Sequence, residues 1–301
     1  MTFDYTALYW HFIRSKSRCG AEIEKVFKKI FPEKLQNFLY AMNDEIIRRK
    51  IIKRNELLFG EYFMITFDMT RTQRLYSPPT NKAKKIKGLL WEEVKEIKYY
   101  YRAVLEAKIT LFNGLSIPLA TEFVTNADTF NNEFKKQDCE LKAAYRLIPK
   151  LKKQFPKLKI CLLLDSLYPC EDIVKLCEKC KFKYIMSIKP KKIPSLYSEF
   201  HNKKRLQDYI EKKKILPGNL YQRIKIIDGL KYANFDLIFL ELNEYKTRKH
   251  QKSERTYHNV FITNLKVGAD NAYETGKAGR KLWKTEHSFN RQKKHIYKIK
   301  L

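Results

Sequence analysis

Glycine is scarce in this chain, nine residues in 301, and no glycine-rich phosphate loop can be assembled from them, so ATP chemistry is not implied. Cysteine is equally sparse. The six thiols, Cys19, Cys139, Cys161, Cys170, Cys177 and Cys180, are scattered in the manner of reduced residues and not of a disulfide framework. Cys177 and Cys180 form a C-x-x-C, but no second pair or His-x-x-His completes a zinc site, and the pair lies in the helical pattern EDIVKLCEKCKF, so it reads as two helix-face thiols. The six histidines show no H-E-x-x-H spacing. No apolar run approaches the roughly 20 residues a bilayer-crossing helix needs. The opening MTFDYTALYWHFIRSKSRCG also lacks the basic start, apolar core and small-residue cleavage site of a secretory signal, and the expectation is a cytoplasmic protein with no membrane partner. Acid is the last shortage: 33 Asp and Glu stand against 62 Lys and Arg, a net charge of +29. That balance favours a polyanionic partner, although the abundance of Lys, Ile, Asn, Tyr and Phe also fits a biased codon usage.

What is present suffices for a real interior, since 44% of residues are hydrophobic. Residues 1–58 show helical spacing at Ile23, Val26, Phe27, Ile30 and Phe31 and again at Phe38, Leu39, Met42, Ile46 and Ile47, a helical head with possible DNA contact at its basic end RRKIIKR. From Gly60 the period changes. EYFMITFD reads as a buried strand, TRTQRLYSPPTNKAKKIKG as a basic mobile loop, and YYYRAVLEAKITL and LSIPLATEFVTN as strands joined at Asn113-Gly114, giving an antiparallel meander. Residues 130–155 read as an amphipathic helix that Pro149 should kink or divide. KICLLLD then has the continuous apolar character of a strand buried on both faces, and a helix at 171–180 leads to the strand FKYIMSIK. The order is β-β-β-α-β-α-β: an α/β fold with a mixed sheet of ribonuclease-H-like order, flanked by helices. We place the first part of this core at 59–189 and a β-rich insertion at 190–255, with a hairpin expected at Asp228-Gly229. The core resumes at 256–301 with the strand TYHNVFITNL and a helix from about Asp270–Glu274 to about His295.

Three acids stand out in that order: Asp68, closing YFMITFD; Asp165, closing KICLLLD; and Glu286, in GRKLWKTEHSFNRQK. Two-metal cleavage of a phosphodiester needs carboxylates that bridge and flank two ions, and hard oxygen donors suit Mg2+ or Mn2+. On this reading Asp68 bridges both ions, Asp165 binds one, and Glu286 approaches from the helix. Each acid alone has a plainer reading, because Asp at a strand end is a common turn residue and Glu on a charged helix usually faces solvent. Glu122, Asp128 and Asp172 also fall near the expected edge and read as turn, cap or surface residues.

The motifs FDMT at Asp68, LLLDSLY at Asp165, FITNL before the last helix and GRKLWKTEHSFNRQK around Glu286 resemble those of the DDE transposases of bacterial insertion sequences, in the cut-and-paste group with a β-strand insertion. The resemblance covers roughly residues 60–295, and the last motif is its most specific part. It implies a ribonuclease-H-like core and a DDE triad of Asp68, Asp165 and Glu286 holding two Mg2+ or Mn2+ ions. It further implies a homodimer on double-stranded DNA that nicks the terminal inverted repeats and joins the freed 3′-hydroxyls to target DNA. Lys293 matches the lysine that contacts DNA seven residues after the glutamate, and Arg280, Lys284 and Arg291 are the neighbouring cations expected on DNA. Two features depart from the family. Gly279 and Leu282 stand where it has Tyr and Arg, and only eight residues follow Lys293. The alternatives to an active transposase are therefore a truncated, non-catalytic DNA-binding remnant and a stand-alone ribonuclease-H-like nuclease.

Overall fold

The computed structural model describes residues 31–75, 90–94, 97–124, 139–247 and 253–291, with side chains at 32, 72–75, 90–94, 97–102 and 283–291 outside the description. They divide between two units, 1–52 and 53–301. In the first, helix α1 (Pro32–Arg48) starts on a proline, whose missing N–H costs nothing at that position, and ends where Lys50 turns to a positive φ of 53°. Its basic end is partly spoken for: Arg48 and Arg49 both donate to Glu45. The apolar positions 23–30 of the expected helical head lie outside the described residues.

In the second unit ten strands form one sheet: β1 (Phe63–Leu75), β2 (Leu90–Val94), β3 (Ile97–Thr110), β4 (Ser116–Val124), β5 (Ile160–Leu164), β6 (Lys183–Ser187), β7 (Ile210–Leu216), β8 (Leu220–Tyr232), β9 (Phe235–Lys246) and β10 (Glu254–Thr263). Their order is β2–β3–β1–β5–β6–β10–β9–β8–β7. The far edge of β3 is shared, with β2 paired along 97–101 and β4 along 103–110. β1, β5 and β6 run parallel, and every other pairing is antiparallel. Helices α2 (Glu140–Gln154), α3 (Glu171–Lys179), α4 (Pro194–Arg205) and α5 (Ala272–Arg291) accompany the sheet among the described residues. The architecture is α/β, a large mixed sheet flanked by helices.

Alternation along the strands separates the two faces. Met64, Cys161, Leu163, Ile185, Ile224, Leu240, Leu242 and Phe261 form one apolar cluster with Ala272 and Ala278 of α5. That face belongs to α5. The alternate residues look the other way: Phe67 meets Tyr168 edge-on at 6.1 Å, Phe239 stacks on Phe200 of α4 at 5.1 Å, and Glu122, cross-strand from Leu105, pairs with Arg146 and Lys150 of α2. Burial on both faces explains why β5 is apolar at every position, all five of its residues being buried.

Several expectations need correction. β1 continues through Leu75, so the segment 70–75 read as loop is strand, and Asp68 lies within the strand rather than at its end. Strand β2 was not anticipated. Pro149 leaves α2 undivided, because it sits on the solvent side where the carbonyl it abandons can be hydrated. Asp228-Gly229 is a bulge inside β8, where the register shifts between Ile227 and Leu230; the hairpin turn is Ala233-Asn234, both at positive φ (53° and 67°), between the paired Tyr232 and Phe235. Helix α4 lies within the segment read as β-rich, and β7–β9 extend the same sheet that carries β1 and β5. Among the described residues no helix is long and apolar enough to cross a membrane.

Candidate active site

β1 and β5 are parallel, with rungs from Phe63↔Ile160 to Thr66↔Leu163. Carried two residues further, the same offset sets Asp68 beside Asp165. Parity places both with Met64, Cys161 and Leu163, on the face that α5 covers. Asp165 follows the last residue of β5 and is exposed, while Asp68 is half-buried. The turn role expected of a strand-end aspartate is present too: the Leu167 amide donates to Asp165 Oδ1 at 2.7 Å.

α5 is 20 residues, about 30 Å. It packs on β8, β9, β6, β5 and β1. Near its start Gly276 lies against Ile224 and Leu242; one turn on, Gly279 lies against the Phe261 ring, and Leu282 packs on the cluster that holds Met64 and Leu163. The helix therefore travels toward β1, and position 286, four residues beyond Leu282 and seven beyond Gly279, falls on the same sheet-facing stripe. The side chain of Glu286, and those of Lys284 and Arg291, are outside the described residues, as is Lys293 altogether. Among the described residues no group of three or more His, Cys, Asp or Glu is set to hold a metal ion.

Gly279, where the resemblance led to an expected tyrosine, is tightly packed. A Cβ at Gly279 would stand 2.8–3.0 Å from three atoms of the buried Phe261 ring. No larger residue fits there unless the ring moves. Arg280, the expected substitute cation, is engaged within the fold: it pairs with Glu244 of β9 and lies 4.7 Å over the Tyr257 ring of β10. Burial pushes its pKa down.

Two functional candidates escaped the sequence reading. Glu140, in the first turn of α2, accepts a 2.6 Å hydrogen bond from the hydroxyl of Tyr168, which is fully buried. Burial raises the pKa of Glu140; the Tyr168 bond opposes this, and the negative charges of Asp165 and Asp68 add to it. Tyr168 is likewise held well above the ordinary phenol range by burial and by Glu140, with Asp165 and Asp68 contributing. Four groups from three elements thus share one electrostatic neighbourhood at the carboxyl end of β5. Only the spacing of Tyr168, three residues after Asp165 in LLLDSLY, could have pointed to them.

Two of the other acids sit in structural settings. Glu122 is buried, with Arg146 at 2.6 Å and Lys150 at 2.5 Å. Asp172 lies in the first turn of α3, and Asp128 is outside the described residues. Asn264 of FITNL stitches strands, accepting from the Tyr184 amide and donating to Glu178 and the Phe182 carbonyl. Cys177 and Cys180 are buried, and burial raises both thiol pKa values. A cleft of about 850 Å3, lined by Arg54, Phe112, Lys214, Tyr273 and Lys277 among others, opens at the opposite end of β1, where Gly60 enters it. Neither a protein-family model nor a curated protein sequence matches this chain.

Proposed function

We propose that the chain is a DNA transposase of the DDE type, with Asp68, Asp165 and Glu286 as its carboxylate triad. The observation that supports this reading is the parallel register of β1 and β5, seen from Phe63↔Ile160 to Thr66↔Leu163, whose extension by two residues would bring Asp68 alongside Asp165 on the face crossed by α5. In support, the segment β4–β3–β1–β5–β6, antiparallel on one side of β1 and parallel on the other, matches the order of a ribonuclease-H-like core. Strands β7–β9 would be its β-rich insertion, and β10 the strand with which the core resumes.

The donor set fits hard divalent ions, because Asp68 and Asp165 offer only carboxylate oxygens. Two Mg2+ or Mn2+ ions, when bound, would supply an activated water or 3′-hydroxyl and a stabilised leaving oxygen. Asp68, held within β1 by its pairing with Glu106 of β3, would hold the shared position. Asp165 would present the oxygen left over from its turn, and Glu286 would close the site from α5. Glu140 and Tyr168 would back Asp68 and Asp165 from the other face and limit solvent access at the edge. The charge of +29 supplies the attraction for double-stranded DNA, which should weaken steeply with salt. Arg280, in its pairing with Glu244, is the observation that favours a second reading, a non-catalytic DNA-binding remnant.

One experiment separates them. Purified protein with Mg2+ or Mn2+ should nick DNA carrying the repeats that flank its gene and join the freed ends to a target, and Asp165→Ala should abolish both. Equal cleavage by Asp165→Ala would refute the triad, whereas salt-dependent binding without metal-dependent nicking would establish the remnant.

A further inference from the structure

Asp165 leaves β5 into a turn, Asp165-Ser166-Leu167-Tyr168, in which the Tyr168 amide donates to the Asp165 carbonyl at 3.3 Å and the Leu167 amide to Asp165 Oδ1 at 2.7 Å. The second bond orients the carboxylate: with Oδ1 on the turn, the direction of Oδ2 is set by the backbone of residues 165–168. That backbone is pinned at its last residue. Tyr168 is fully buried, its ring meets Phe67 of β1 edge-on at 6.1 Å, and its hydroxyl donates to Glu140 Oε1 at 2.6 Å. Phe67 precedes Asp68 in the chain. One side chain therefore ties the turn that holds Asp165 to the strand that holds Asp68 and, through Glu140, to the first turn of α2.

A buried phenol hydroxyl needs a single acceptor, and a side-chain amide or a backbone carbonyl would serve. A carboxylate makes the stronger, charge-assisted bond, but here it adds a third acid whose charge is opposed by those of Asp165 and Asp68. Packing alone does not call for that choice, whereas a turn that must not shift does. We infer that Tyr168 and Glu140 are positioning residues of the proposed metal site: Glu140 anchors the Tyr168 hydroxyl, and Tyr168 holds the turn that aims the Asp165 carboxylate beside β1. The inference rests on the metal reading of Asp68 and Asp165. Both residues act through Asp165 and neither binds an ion.

Titration of the full chain with Mn2+, read by the loss of the free-ion EPR signal, should show binding that Asp165→Asn removes. Tyr168→Phe keeps the ring and deletes the anchor, and Glu140→Ala deletes the acceptor. Each should weaken Mn2+ binding about tenfold, the low end for a group that orients a metal ligand. The double variant should lose no more than either single one, because the two residues make one bond. Glu140→Gln, whose amide oxygen still accepts from Tyr168, should stay within about threefold of the wild type. In metal-free protein, exchange of the Leu167 amide should quicken in Tyr168→Phe and Glu140→Ala and not in Glu140→Gln. A merely structural pair would lower Tm and leave Mn2+ affinity unmoved. Affinity within about twofold of the wild type in Tyr168→Phe, or a loss in Glu140→Gln as large as in Glu140→Ala, overturns the inference. Should Glu140→Ala not fold, Tyr168→Phe decides it alone. Absence of Mn2+ binding by the wild type, or equal binding by Asp165→Asn, instead overturns the two-metal reading itself.

Discussion

Replacing Gly279 by alanine opposes two effects whose sizes can be compared. In an open helix Gly→Ala gains about 1 kcal/mol, because alanine loses less backbone entropy on folding. At position 279 the added Cβ would lie 2.8, 2.9 and 3.0 Å from the Cζ, Cε1 and Cε2 atoms of Phe261. Carbon contacts relax at about 3.5–4.0 Å, so the ring or the helix must retreat by roughly 0.5–1 Å. Phe261 cannot swing into solvent, being fully buried in a strand paired on both sides. Overpacking of this kind costs about 1–3 kcal/mol, so Gly279→Ala should destabilise the fold by about 1 kcal/mol net, with the clash outweighing the helix propensity. Equilibrium urea unfolding measures it, and a double-mutant cycle with Phe261→Leu isolates the contact: Gly279→Ala should become neutral or stabilising once the ring is gone. Gly276 is the internal control, since its nearest neighbour, Ile224 Cδ1 at 3.2 Å, is a terminal methyl that can rotate away. If Gly279→Ala raises stability by about 1 kcal/mol in the presence of Phe261, the close approach of α5 to β10 is wrong, and with it the path that brings position 286 over β1.

Glu140→Gln should raise Tm at pH 8 in metal-free buffer. The folded state holds the Glu140 proton more tightly than the unfolded chain does, so this group costs stability as pH rises from the ordinary carboxylate range through its raised pKa. The advantage of the amide should therefore shrink as pH falls to about 4, and a variant less stable than wild type at pH 8 would separate Glu140 from Asp68 and Asp165. Glu122→Ala should cost about 1–2 kcal/mol by urea unfolding, between the values for buried and exposed ion pairs, because its carboxylate is buried while Arg146 and Lys150 can still reach water; no loss would make that network ornamental.

Local signals were legible where the chemistry is local. Asn113-Gly114 made its turn, with Gly114 at φ 95° and Asn113 Oδ1 accepting from the Leu115 amide, and five consecutive apolar residues made β5 a strand buried on both sides. Asp228-Gly229 carried the same kind of signal and became a bulge, because the register of β8 against β9 settled which of two neighbouring positive-φ sites would turn the chain. The length of β1 was hidden for a related reason. TRTQRL is polar, but pairing with β3 satisfies its backbone whatever its side chains are. At the site, Asp68 and Asp165 were visible as acids ending apolar runs, whereas Glu140 is one carboxylate among 33 acids until α2 folds back on Tyr168.

The central claim is that Asp68 and Asp165 present their carboxylates to a common ion beneath α5. Anomalous diffraction from Mn2+-soaked crystals tests it most directly. Density bound by both carboxylates, at roughly 2.0–2.2 Å from their oxygens and within reach of Glu286, is the predicted result. Manganese bound elsewhere with none at Asp68 or Asp165, or a Glu286 side chain turned away from the sheet, would contradict it.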